Sequence, residues 1–155
     1  GEEKTKAWLV KMKANSPKKY PKNSPQVRAV GNGEIKIGWV NHYYLLRQKA
    51  SQPDLLAANY VFPTDQDAGN IMMLSGVGIV KGTKKLKAAQ QFVDFLLSDE
   101  IQTHLTQKNF EYPAVTGIKR GAALEGLADK VSLVPQDRLT DIAGTQRLLQ
   151  SVGLR

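Results

Sequence analysis

The chain has 155 residues, with 22 Lys and Arg against 14 Asp and Glu, a formal net charge of +8, a hydrophobic fraction of 41% and no cysteine. That apolar fraction excludes a fully disordered chain, and the length allows one sizeable core. The lack of cysteine excludes a disulfide scaffold and any Cys-ligated zinc or iron–sulfur centre, and the longest nearly apolar run, Ile71 to Val80, is about half of what a bilayer helix needs, so the chain is not expected to span a membrane.

Gly1 to Asn15 reads as a helix with Ala7, Trp8, Leu9 and Met12 on its apolar side and Glu2 and Glu3 in its first turn, where the helix dipole favours acids. Asn15 and Pro17 end it. The densest basic patch, Lys11, Lys13, Lys18, Lys19 and Lys22, is broken by two prolines and interleaved only with Tyr20. It reads as a solubilising loop, with docking to an acidic partner or polyanion as the alternative. It has no zinc-finger or RNA-sheet signature, so no nucleic-acid partner is expected.

Ser24 and Pro25 signal the start of a short helix with Val27 and Val30 facing inward, closed by Gly31 and Gly33. Glu34 to Val40 alternates, with Ile35, Ile37 and Trp39 on one side, and predicts a strand. Asn41 stops it, and His42 to Lys49 reads as a turn running into a helix. Asn59 to Phe62 is a short extended run, and Ile71 to Val80, broken by Gly76 and Gly78, reads as an extended buried segment. Gly82 to Leu97 is the clearest helix, with Leu86, Ala89, Phe92 or Val93, and Leu96 in period. A second helix follows Ser98, then a short strand at Val131–Val134 and a last helix between Leu139 and Val152 ending at Gly153. The order predicts a mixed α/β fold.

There is no dinucleotide-binding glycine loop, because Gly31-Asn32-Gly33 precedes a strand rather than following one. Ser75-Gly76-Val77-Gly78 lacks the spacing of a nucleophile elbow. His42 and His104 are the only histidines, with no obvious nucleophile beside either, so an enzyme is not expected. The unusual segment is Asn41-His42-Tyr43-Tyr44, just past a predicted strand end, where ligands collect in open α/β sheets. A phenol, with a pKa near 10, needs a strong cation to ionise near neutral pH. A ferric ion is hard and takes anionic oxygen donors. Adjacent residues on a regular strand point to opposite faces and on a helix do not face one another, so Tyr43 and Tyr44 can share an ion only at a turn or helix start. The alternative is one tyrosine in the core and one on the surface.

Gly33 to Gly38 followed by Asn41-His42-Tyr43-Tyr44 resembles the core motif of periplasmic ferric-ion-binding proteins of ABC transporters. The Glu2 to Leu9 helix, Asp67-Ala68-Gly69, Ser75 to Gly78, the Ala88 to Asp99 helix, Glu111-Tyr112-Pro113 and Gly153-Leu154 fit the same pattern. The resemblance implies a periplasmic-binding-protein type II-like fold of two α/β lobes, of which this chain is the C-terminal half. Residues 1–74 would belong to the C-terminal lobe, 75–124 to a return into the N-terminal lobe, and 125–155 to a final crossing back. It implies that Tyr43 and Tyr44 coordinate Fe(3+) as phenolates. Asn41 and Asn23 would contact a synergistic anion, phosphate or carbonate, while His42 would orient the turn without binding iron. The remaining ligands would lie in the missing N-terminal half, and the partners would be ferric ion and an ABC permease. It also implies a periplasmic location; no signal peptide opens the chain, so it would have been removed or lie upstream. The runner-up by the same resemblance is a binding protein for a phosphonate, thiamine or a polyamine.

Overall fold

The computed structural model describes residues 1–64, 67, 69–127 and 134–155. Six α-helices are described: α1 (Glu2–Ala14), α2 (Asn23–Gly31), α3 (His42–Ser51), α4 (Leu86–Leu96), α5 (Asp99–His104) and α6 (Ile142–Ser151). A π-helical turn, Leu105–Asn109, continues α5, and short 3-10 turns lie at Ala122–Leu124 and Gln136–Leu139. No described helix is long and apolar enough to cross a membrane.

The chain divides into two compact units, Gly1–Pro21 with Leu133–Arg155, and Lys22–Ser132. In the first, α1 places Glu2 and Glu3 in its first turn and Lys11 and Lys13 in its last, matching both ends of the dipole. Of its expected apolar side, Leu9 and Met12 are half-buried, whereas Ala7 and Trp8 are exposed. Helix α6 starts where the Asp141 carboxylate accepts the Gly144 N–H at 2.7 Å. It ends with Gly153 at φ 69 and the Leu154 N–H on the Leu149 carbonyl at 3.0 Å, a left-handed glycine stop.

In the second unit α2 and α3 close over Val27, Leu45 and Leu55, with Val40, Tyr44 and Ala57 packed around them. Helix α2 begins at Asn23, with Pro25 in its first turn, where a missing N–H is harmless. Helix α5 is capped by Ser98, whose hydroxyl accepts the Ile101 N–H. Buried Gln102 donates to the Leu96 carbonyl at 2.8 Å and accepts from the Ala114 N–H at 2.7 Å. Fully buried Thr106 accepts from the Gly121 N–H at 3.0 Å. Together these bonds hold the 110–121 loop against the π-helical turn.

The expected α/β two-lobed fold is not what the described residues form. They hold no β-strand, only a single isolated bridge residue at Ile71. Glu34 to Val40 does alternate, but Ile37 and Trp39 stay exposed. The Gln26 side-chain amide occupies the backbone where a neighbouring strand would pair, accepting the Trp39 N–H at 2.8 Å and donating to the Trp39 carbonyl at 3.3 Å. At Asn59–Phe62 the buried Asn70 amide does the same, bonding the Phe62 N–H and carbonyl at 2.9 and 2.8 Å. Ile71 to Val80, expected to be buried, leaves Ile71, Met73, Leu74, Val77, Ile79 and Val80 exposed. A strand is stabilised by its neighbours, and the described residues supply none here. Residues 131–133 of the last expected strand, and Ala68, lie outside the described residues. Helix α4 begins at Leu86 rather than Gly82, and its apolar Leu86, Phe92 and Phe95 are exposed.

Candidate functional site

Asn41 enters α3 with extended backbone, φ −68 and ψ 142, and the Tyr44 N–H bonds its carbonyl at 3.1 Å. Here at the helix start the adjacent side chains of Tyr43 and Tyr44 turn together, with ring centroids 4.6 Å apart and planes inclined by 38°. Neither tyrosine is fully buried and neither is fully exposed. Tyr44 packs against the α2–α3 core, while Tyr43 lines an open cleft of about 400 Å³, and the rings still touch.

The asparagines join the pair. The Asn41 amide donates to the Tyr43 phenol oxygen at 3.0 Å. Hydrogen bonding from Asn23, at the start of α2, and then from Tyr43 holds the Tyr44 phenol below its ordinary value of 10.0; Arg47 adds to this, and desolvation opposes it. Asn41, Tyr43, Tyr44 and Asn23 are thus one polar chain across two helix starts. Asn41, His42 and Tyr43 line the cleft with Asn59, Tyr60 and Tyr112, whereas Tyr44 and Asn23 are not among its lining residues.

Sequence reasoning missed several neighbours. The Arg47 guanidinium lies over the Tyr43 ring at 5.0 Å, and the i,i+4 spacing on one helix was a usable signal. Arg120 lies over the Tyr112 ring at 5.6 Å, and Tyr112 meets the His42 ring at 5.1 Å. The His42–Tyr112 pairing is distant in sequence, and the Tyr112–Arg120 pairing lies in a loop with no helical period to reveal it. Among the described residues no three of His, Cys, Asp and Glu come together to hold a metal ion. The polar side chains that line the cleft include the phenols of Tyr43, Tyr60 and Tyr112, the amides of Asn41, Asn59 and Asn70, and His42. Amide donation from Asn23 and the Arg47 cation both favour the ionised form of the Tyr44 phenol.

The chain is 32% identical over its full length to the major ferric iron-binding protein of Neisseria meningitidis, covering 47% of that protein. It is 34% identical over 76% of its length to iron uptake protein A1 of Synechocystis sp., covering 34% of that protein. It is 32% identical over 83% of its length to the Fe(3+)-binding periplasmic protein of Serratia marcescens, covering 38% of it. The chain therefore spans half or less of these curated relatives. Residues 1–136 match the family model of the bacterial extracellular solute-binding proteins, and the chain belongs to that family, as a relative of bacterial ferric-iron-binding proteins.

Proposed function

We propose that the chain carries part of a binding site for ferric ion as transported cargo, and that the protein hands the ion to an ABC permease from the periplasm. Tyr43 and Tyr44 serve as phenolate donors. Asn23 and Asn41 hold the phenols and contact a synergistic anion such as phosphate or carbonate. Each phenol loses its proton as its oxygen bonds to iron, so binding releases protons. The iron stays ferric and no covalent bond of a substrate is broken, so the protein is a carrier and not a catalyst. Two phenolates leave most coordination positions to other donors, which we place in the portion of the longer relatives that this chain does not span.

The observation that supports this reading most is the contact of two adjacent phenol rings at 4.6 Å, bracketed by Asn41 on one phenol and Asn23 on the other. The names of the relatives point the same way. Chelator competition for ferric ion tests it. Replacing both Tyr43 and Tyr44 by Phe should weaken iron binding by more than about 100-fold, beyond the range for losing an outer-shell partner. Equal competition by both proteins would overturn the reading.

A further inference from the structure

His42 opens α3 directly before the tyrosine pair. Its Nε2 lies 2.7 Å from the carbonyl oxygen of Phe110, 68 residues along the chain. A carbonyl oxygen only accepts, so Nε2 carries the proton and donates. The acceptor sits on unusual backbone. Phe110 closes the π-helical turn at φ 60 and ψ 38, a left-handed conformation that residues other than glycine rarely adopt. Such outliers persist where their surroundings over-determine them, and both they and π-helical turns concentrate at functional sites. The same imidazole meets Tyr43 edge-on at 5.6 Å and Tyr112 at 5.1 Å.

We propose that His42 is a positioning residue whose Nε2–H···O bond to Phe110 clamps the start of α3, and with it Tyr43, to the turn that carries Tyr112. The clamp fixes how the phenols approach an ion without supplying a donor to it. Its purpose rests on the ferric-ion reading above.

His42→Phe keeps an aromatic ring against Tyr43 and Tyr112 but removes the donor. His42→Asn, too short to reach Phe110, removes the donor with a polar side chain. His42→Gln restores an N–H at similar reach. Two readouts separate the clamp from its purpose. The Glu111 amide, 3.3 Å from the Leu105 carbonyl, reports the turn by hydrogen exchange in the metal-free protein. Chelator competition reports the iron site. With the donor removed, exchange at Glu111 should speed up about tenfold and iron binding should weaken about tenfold, the net worth of one hydrogen bond. His42→Gln should stay within about threefold of the parent in both, as partial retention of that bond requires. Unchanged exchange in His42→Phe and His42→Asn, or a His42→Gln as impaired as they are, overturns the clamp. Faster exchange with unchanged iron affinity overturns its role at the site. A parent protein with no affinity for ferric ion overturns the ferric reading itself, while the exchange comparison still judges the clamp.

Discussion

The side-chain amide of Asn41 donates to the phenol oxygen of Tyr43 at 3.0 Å, while its side chain makes no cap bond to α3. Asparagine before a helix ordinarily accepts a first-turn N–H. Here the residue best placed to cap the helix is committed to a phenol instead. Asn41→Ser provides a capping hydroxyl too short to reach the phenol. The variant should be as stable as the parent or more stable by up to about 1 kcal/mol, and should bind ferric ion more weakly. Urea unfolding and chelator competition, run on the same samples, check the opposed directions. A loss of stability together with unchanged iron binding would show that Asn41 serves the helix alone.

The lowered Tyr44 phenol gives a second prediction in the metal-free protein. Asn23 is the largest cause, then Tyr43, with Arg47 contributing and desolvation opposing. An acid whose folded pKa is depressed adds stability above its unfolded pKa, and this is lost as pH falls through the folded value. The unfolded value is near 10, so the contribution is fully present only in alkaline solution above that value and falls away as the pH drops through the lowered one. In an ultraviolet titration, Tyr44 should ionise ahead of an unperturbed tyrosine. Asn23→Ala should move that first step upward. An identical titration in the variant would show that Asn23 does not act on Tyr44.

Much of the local structure was legible in the sequence. Asn41 marked a real helix start, with Tyr43 and Tyr44 in the first turn of α3, and Ser98 and Gly153 marked real helix ends. The alternation of Ile35, Ile37 and Trp39 was equally regular, yet it did not produce a strand. Pattern reports which face could be buried; a strand also needs a neighbour. The choice fell to the side-chain amides of Gln26 and Asn70, which pair with single backbone segments at Trp39 and Phe62. Neither pairing has a period that sequence alone displays. The His42 bond to Phe110 was hidden for the same reason, since 68 residues separate its ends.

Asn70 provides a direct test of that substitution for sheet pairing. Its amide satisfies both backbone groups of Phe62, and the side chain is only 9% exposed. Asn70→Ala leaves these part-buried groups without their partner, which should lower unfolding stability by about 1–3 kcal/mol. It should also loosen the Asn59–Val61 wall of the cleft. Thermal or urea unfolding measures the first effect and amide exchange at Phe62 the second. A variant as stable as the parent would mean that water replaces the amide without loss.

The central claim is that Tyr43 and Tyr44 bind ferric ion together as phenolates, and the visible spectrum tests it most directly. Ferric citrate added to the protein should raise a phenolate-to-iron charge-transfer band that saturates with iron. The variant carrying both Tyr43→Phe and Tyr44→Phe, which keeps the apolar bulk of both rings, should show none. No band in the parent, or the same band in the double variant, would contradict the account.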